Sequence, residues 1–463
     1  MNDAIDMPWL RPLSEGAGPR YLQIADLIDD AIHSGKLGAG DPVPSQRWLA
    51  AKLGVDLTTV TRAYTEARNR GLIASFSGRG SFVVGPADPA QSGRIDLSMN
   101  TPPQPADHSM AEHIRKGLQE VLAHQPIDTL SRYPSEGSRR CAIQAAQAWL
   151  RPALGDLDSA HLMLCEGAQA ALFGILLTEA RRGETVLCEA LTYPGFLQAA
   201  RRLGLRIVAL EGDEDGVLPD AIERAHSAFD ARWLYLNPTL HNPTTRTMPE
   251  SRRKDVANTV QRLGMTLIED DPYRYLLGDA PPPIAALNGG IGTYYLASLS
   301  KCLSPALRTA FVLPPRGQES SSLQDGLLAA SMGGSPLLTA LAEHWLRSGA
   351  ARHLVQEIQR EARARQSLAR ALLPAGVQAH PTGLHVWLTL PDHWNQHLFA
   401  HALDGAGISV ACAEAFSAEA GAVDHAVRLS LGGANDHAAL ARALRTIADL
   451  LPKNIRRGSH GIV

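Results

Sequence analysis

Seven short apolar runs, spaced out by helical stretches, constrain this chain more than any other feature. From Ile95 onward they are His161-Leu-Met-Leu-Cys165, Thr185-Val-Leu-Cys188, Arg206-Ile-Val-Ala-Leu210, Trp233-Leu-Tyr-Leu236, Thr266-Leu-Ile268, Tyr294-Tyr-Leu-Ala297 and Phe311-Val-Leu313. Strand-like runs alternating with helices predict an α/β domain with a mostly parallel sheet. Ligands of such sheets sit at the carboxyl ends of the strands, which is where the polar motifs of this sequence fall. The chain of 463 residues is long enough for more than one domain. The sequence divides into a reader over 1–85, a linker over 86–94, the α/β domain over 95–455 with a smaller subdomain from about 350 to 455, and a tail over 456–463.

Charge and cysteine usage narrow the setting. The first residues, Met1 to Gly16, are acidic and lack an apolar core, unlike a secretory signal. No apolar stretch approaches the roughly 18–20 residues needed to span a bilayer, so no membrane partner is expected. Five scattered cysteines (Cys141, Cys165, Cys188, Cys302, Cys412) without a CxxC pair suit free thiols in a reducing cytoplasm. A net charge of −3 announces no nucleic-acid binding. Its distribution does: residues 1–42 carry three basic and seven acidic side chains, whereas residues 43–85 carry six basic and two acidic ones. One half of the N-terminal region is therefore a basic surface.

That region reads as a helix-turn-helix. Leu22, Ile24, Ala25, Ile28 and Ile32 fall at helical spacing between Arg20 and Gly35. Residues 37–44 are turn chemistry, Ser45 caps a short helix from Gln46 to Leu53, and Gly54-Val55 turns into a second helix from about Leu57 to Gly71. The second helix of such a pair enters the major groove with its N-terminal residues at the bases. Gly71-Leu-Ile and Ser77-Gly-Arg-Gly-Ser-Phe-Val-Val then read as a two-stranded wing tipped by Arg79. Tyr21-Leu-Gln-Ile-Ala, Gly35-Lys-Leu, Pro44-Ser-Gln-Arg47, Leu49-Ala-x-x-Leu-Gly-Val and Thr59-Val resemble the winged helix of GntR-type regulators over about residues 19–85. The resemblance implies double-stranded DNA as partner. Arg47 would hold phosphate, Thr58 and Thr59 would face DNA, Arg79-Gly80 would form the wing tip, and Ser45, Gln46 and Arg62 would complete the contact set. Asp56-Leu57 departs from the pattern, where many relatives have serine or threonine followed by arginine. Leu57 cannot hydrogen-bond a guanine, which leaves weaker or apolar readout there, for instance against a thymine methyl. The ten residues Gly85 to Arg94 have connector composition and span at most about 33 Å.

In the α/β part, Lys301 stands out. It is one of six lysines, sits in Ser298-Leu-Ser-Lys301 among small and apolar residues, and has Arg308 seven positions on. A lysine so placed is a candidate for a depressed pKa and for Schiff-base chemistry. Glu166-Gly-Ala168-Gln169 follows a run and opens a helix whose first N–H groups would bind phosphate. Tyr193 is able to stack on a flat ring, Asn242 to hydrogen-bond a ring hydroxyl, and Asp270 to pair with a protonated ring nitrogen that makes the ring an electron sink. Tyr273 reaches the same ring oxygen as Asn242. Together, Gly-Ala-Gln, Tyr-Pro-Gly, His-Asn-Pro-Thr, Glu-Asp-Asp-Pro-Tyr and Ser-x-Ser-Lys with its later arginine resemble fold-type I aminotransferases across 95–450. The resemblance implies pyridoxal 5'-phosphate bonded to Lys301. Ser298, Ser300 and Arg308 would form a phosphate cup, Tyr133 would reach a partner subunit's phosphate, and Arg428 would clamp a carboxylate in a bidentate pair, with Asn242 beside the substrate. Ala168 and Thr245 depart from the family's usual serine and glycine, which should weaken cofactor binding without abolishing it.

His393, His397 and His401 are spaced by four on what reads as one helix, with Trp394, Leu398 and Leu403 as its apolar side. The spacing admits a metal, but the reading adopted is a polar helix face, with no metal expected. A GntR-like winged helix joined to an aminotransferase-like domain resembles the MocR regulators. That implies a cytoplasmic homodimer that senses pyridoxal phosphate or a small amine or amino acid. A working transaminase carrying an accessory reader is the alternative.

Overall fold

The computed structural model describes residues 7, 9–14, 18–38, 41–76, 80–83, 94–104, 110–318, 321–331, 333–419 and 425–453. The chain divides into two compact units, residues 1–94 and 95–463. Arg79 and residues 84–93, which hold most of the expected linker, lie outside the described residues, as does the tail from 454.

In the first unit the apolar spacing produces helices Arg20–His33, Gln46–Leu53 and Leu57–Asn69. Ser45 caps the second helix by accepting from the Trp48 N–H at 3.3 Å, and Gly54 ends it in the left-handed conformation. Ile24, Ile28, Leu49, Val60, Tyr64 and Ala67 interlock as its core, closed below by Ile73 and Val83. The sheet differs from expectation. Three strands are present in the order Pro42–Val43, Gly80–Val83, Ile73–Phe76, all antiparallel, with Pro42 opposite Phe82 and Ile73 opposite Val83. The added strand is two residues long, too short to carry any periodicity, and pairing rather than propensity makes it a strand.

The second unit is built on a seven-stranded sheet in the order Met163–Cys165, Ala310–Leu313, Thr293–Ser298, Thr266–Asp270, Trp233–Leu236, Thr185–Glu189, Arg206–Leu210. All seven apolar runs form strands of it. Ala310–Leu313 runs antiparallel to both of its neighbours, and the remaining pairs are parallel. Helices cover both faces, among them Ala168–Glu179, Pro194–Leu203 and Glu250–Leu263. Toward the C-terminus, a smaller antiparallel sheet orders Gln378–Ala379, His385–Thr389, Ala426–Ser430, Ala411–Cys412, with helices Ala350–Leu372 and His437–Leu450 packed on it.

The histidine stripe does not form. The helix begins at Gln396, where the Asn395 side chain accepts from the Leu398 N–H at 2.8 Å, so His393 lies in the turn before it. His393 Nε2 sits 3.0 Å from the Leu451 carbonyl, His397 pairs with Glu414, and Leu398 is 54% exposed rather than buried. Among the described residues no group of histidine, cysteine, aspartate or glutamate is arranged to hold a metal ion.

Residues 95–101 thread between the two sheets. Ile95–Asp96 pairs in parallel with Ile408–Ser409, and the Ser430 N–H donates to the Leu97 carbonyl at 2.8 Å. The fit is close enough that a Cβ on Gly433 would lie 1.8 Å from the Asp96 carbonyl oxygen. Gly433→Ala is therefore expected to destabilise the second unit by about 1–3 kcal/mol, as overpacking does. The measurement is a lowered midpoint of its denaturant transition in the full-length protein.

Candidate functional site: a cofactor cleft and a DNA-reading helix

The strand ends converge on Asp270. The strand Thr266–Asp270 runs through this residue, two positions beyond the end read from sequence, which leaves the carboxylate 4% exposed. Its Oδ2 accepts from the Tyr235 hydroxyl at 2.7 Å, and its Oδ1 is buried with no hydrogen-bond partner. Burial raises its pKa to about 6, against the lowering effect of the Tyr235 bond. Asn237 Nδ2 donates to the Asp270 carbonyl at 2.7 Å, and Asn237 Oδ1 accepts from the Asn242 N–H at 2.9 Å. A single side chain thus ties the Asn242 loop to the Asp270 strand.

Lys301 follows the end of strand Thr293–Ser298. Its Nζ donates to the Asn100 carbonyl at 2.6 Å. Burial first, and then the nearby Arg428 charge, lower its pKa to about 8, with Asp270 acting in the opposite sense. Arg428, on strand Ala426–Ser430, donates from Nη1 to Asn242 Oδ1 at 2.7 Å and from Nη2 to the Ser98 carbonyl. Its guanidinium lies over the Phe416 ring at 4.9 Å, and its Nε is buried without a partner. The Tyr273 hydroxyl accepts from Asn100 Nδ2 at 3.0 Å, although the sequence placed it beside Asn242.

On the other side, the helix that follows Glu166-Gly starts at Ala168, so Ala168 and Gln169 lie in its first turn. Gly167 caps it at φ 89°, and a Cβ there would come within 3.2 Å of the Arg308 guanidinium, so glycine is required on two counts. Arg308 Nη2 donates to the Glu166 carbonyl at 3.2 Å. Cys165, Ala310 and Ser298 stand side by side across three strands, which brings Gly167, Arg308, Ser298 and Ser300 to one rim. The Ser300 N–H donates to Ser298 Oγ at 3.2 Å, and Gln169 Nε2 donates to the Gly195 carbonyl at 3.0 Å beside Tyr193. Tyr133 stands apart from this cluster, 79% exposed.

The donor set fits pyridoxal phosphate. A lone buried carboxylate oxygen matches a protonated pyridine nitrogen, a lysine of lowered pKa matches an aldehyde, and a helix start with no side-chain cap beside an arginine matches a phosphate. The sequence reading missed Asn100, Tyr235 and Asn237. Asn237 carried a signal, as a polar residue directly after an apolar run. Tyr235 looked like core within Trp-Leu-Tyr-Leu, and nothing local marked Asn100.

A profile of aminotransferases of class I and II matches residues 92–447. The chain belongs to that family. Residues 20–83 match the gntR family of bacterial regulatory proteins, and the combination is the MocR-type architecture. The chain is 27% identical over 437 residues to YdeF of Bacillus subtilis, an uncharacterized HTH-type transcriptional regulator, covering 92% of this chain and 93% of the relative. It is 28% identical over 437 residues to PtsJ of Salmonella typhimurium, a vitamin B6 salvage pathway transcriptional repressor, covering 90% and 96%. LysN of Thermus thermophilus, an alpha-aminoadipate aminotransferase solved with N-(5'-phosphopyridoxyl)-L-leucine, superposes with a TM-score of 0.67 at 24% identity, over 84% of this chain and 98% of that one. That likeness gives the fold alone, and it is the aminotransferase family match that supports pyridoxal 5'-phosphate as cofactor.

The gntR-type unit is a DNA-binding domain, and its geometry sorts the expected contacts. Arg47 and Thr58 are exposed at the starts of helices Gln46–Leu53 and Leu57–Asn69, whereas Thr59 is half-buried. Gln46 Oε1 accepts from Thr61 Oγ1 at 2.9 Å, and Arg62 stacks over Tyr21 at 4.6 Å, so neither side chain stands free. Ser45 is engaged as a cap, and Gly80 is exposed at φ 101°. Leu57 is 44% exposed at the first position of helix Leu57–Asn69, an apolar side chain at a helix start.

Two outcomes follow from these geometries. Tyr235→Phe removes the bond that favours the ionised Asp270, so the pH below which pyridoxal phosphate is lost should rise by about one unit, read from cofactor absorbance across pH. Replacing single thymines by uracil in an in vitro-selected duplex should weaken binding by about fivefold or more at one position per half-site. In Leu57→Ala that penalty should vanish.

Proposed function

We propose that this chain is a pyridoxal-phosphate-dependent transcription regulator whose aminotransferase-like unit senses the cofactor, an amino acid or an amine. The observation that carries the reading is full-length similarity, across about nine-tenths of the chain, to proteins named as transcriptional regulators, combined with a cleft that retains its lysine, carboxylate and arginine. Lys301 would hold pyridoxal phosphate through Nζ, and the bound group would supply an aldehyde reactive toward amines and a ring able to draw electrons.

The protein's own groups do the rest. Asp270 Oδ1 would hold the ring N–H, while the Tyr235 bond favours the ionised carboxylate. The helix start at Ala168–Gln169, with Ser298, Ser300 and Arg308, receives the phosphate. Lys301 Nζ, with a pKa of about 8, is able to take up and return a proton at the carbon beside a bound amine. Arg428 orients a carboxylate, Asn242 hydrogen-bonds the ring oxygen, and Tyr193 covers the ring. This proton-handling set favours a second reading, turnover as a transaminase, which ketoacid release from candidate amino acids tests directly.

In the regulator, Arg47 grips phosphate and the start of the Leu57 helix reads bases. Two copies pair so that Tyr133 reaches the partner's phosphate and two readers meet paired half-sites in the cytoplasm. Lys301→Ala should leave a folded dimer with no borohydride-reducible cofactor adduct. Operator affinity in wild type should shift roughly 5- to 150-fold on adding pyridoxal phosphate with an effective amine, and Lys301→Ala should abolish the shift. Arg47→Ala should weaken binding at every sequence and lower its salt dependence, measured by titration at several ionic strengths. An operator affinity indifferent to cofactor and to every amine, alongside brisk ketoacid release, would leave the transaminase reading standing alone.

A further inference from the structure

Two cations of the cleft are hydrogen-bonded to one short piece of backbone. Arg428 Nη2 donates to the Ser98 carbonyl, and Lys301 Nζ donates to the Asn100 carbonyl at 2.6 Å. Ser98 and Asn100 lie two residues apart in the segment that begins at Ile95, next to the residue where the first unit ends. The segment's other anchors lie in the same region. Asn100 Nδ2 bonds the Tyr273 hydroxyl at 3.0 Å and contacts His385 Nδ1 at 2.9 Å. Ser430 Oγ accepts from the Thr101 N–H and donates to Asn100 Oδ1, both at 3.4 Å. Asn100 is 5% exposed, although its neighbour Met99 is 65% exposed.

We propose that residues 98–101 are the sensing element that converts occupancy of the cleft into a change at the end of the linker, at Arg94. The inference rests on the regulator reading above and names its internal route. Each ligand group competes with a specific carbonyl. A cofactor joined to Nζ takes the donor that holds Asn100, and a carboxylate on Arg428 takes the donor that holds Ser98. Hydrogen bonds to charged donors are the strong ones in such a set, so their loss weakens the segment more than the loss of the remaining neutral bonds would. What remains is the ladder from Ile95 to Leu97 against residues 407–409, together with the bond from the Ser430 N–H to the Leu97 carbonyl. The element has two arrangements, and an occupant biases them by differential contact, which is the requirement for coupling between sites. Chain connectivity carries the change onward, since Arg94 is the next residue.

The test uses the full-length protein with pyridoxal 5'-phosphate alone as probe. Amide hydrogen exchange over 95–101 is followed before and after its addition, and affinity for an in vitro-selected operator is measured in parallel. Exchange over 95–101 should accelerate roughly tenfold while neighbouring core strands do not. Ser430→Ala, which loosens Thr101 and Asn100 without touching either cation, should shrink the cofactor-dependent shift in operator affinity while the cofactor still binds. Unchanged exchange over 95–101 beside an intact operator shift overturns the inference and spares the regulator. An undiminished shift in Ser430→Ala also overturns it. Accelerated exchange with an operator affinity that ignores the cofactor keeps the sensing element and sinks the regulator reading.

Discussion

A buried carboxylate with one oxygen satisfied and the other unpaired sets the terms for the rest of the second unit. Asp270 is stable there as an anion only because Tyr235 donates to one oxygen, and even so burial holds its pKa near 6. Charge of opposite sign is the other requirement, and Lys301 provides it. Burial first, and then repulsion from Arg428 and Arg308, bring the Lys301 pKa to about 8. Between about 6 and 8 the site holds an ionised acid and a lysine part of which is neutral. That is the combination an aldehyde cofactor with a protonated ring requires.

Holding the carboxylate in place falls to a second, wholly buried network one layer down. Arg253 is fully buried; its Nε donates to the Met248 carbonyl, and its Nη2 donates to the Pro238 carbonyl and Thr239 Oγ1. Glu269, 3.7 Å away, accepts from the Ile284 and Ala285 N–H groups and so caps the helix that begins there. A buried ion pair is weak evidence for stability, because desolvation opposes the attraction. Its geometry is what counts: it fixes the loop carrying Asn242 and the strand carrying Asp270 to one another, with Asn237 closing the connection from above.

The sequence made most of this architecture legible, and the exceptions share a cause. Apolar runs, caps and strand-end polar motifs are local signals, so the helices of the reader, the seven strands, and Asp270, Lys301 and Asn242 were visible in them. Features made by distant pairing were not. Pro42–Val43 is a strand only because Phe82 lies opposite, and Phe311-Val-Leu gives no sign that it runs antiparallel to its neighbours. Asn100 acquires its importance from Lys301, Tyr273 and His385, each more than 170 positions away. Spacing misled at His393, because the capping side chain of Asn395 starts the helix after it.

Backbone strain gathers where the cleft needs it. Among the described residues, four other than glycine adopt a left-handed φ: Asp230, Leu240, Thr245 and Arg308. Asp230 ends a helix, a common use of that conformation for a short polar residue. The other three border the site. Such a conformation costs of order 1–3 kcal/mol for a non-glycine residue and persists only where the surroundings over-determine it. The Thr245 turn is closed by two short bonds, from its N–H to the His241 carbonyl and from the His241 N–H to the Arg246 carbonyl, both 2.7 Å. Thr247 Oγ1 and Arg253 fix the flanks. A threonine in this left-handed turn is therefore held by surrounding contacts. Arg308 gains in the same way: its left-handed backbone turns the guanidinium back onto Gly167 and the Glu166 carbonyl, at the rim where a phosphate would bind.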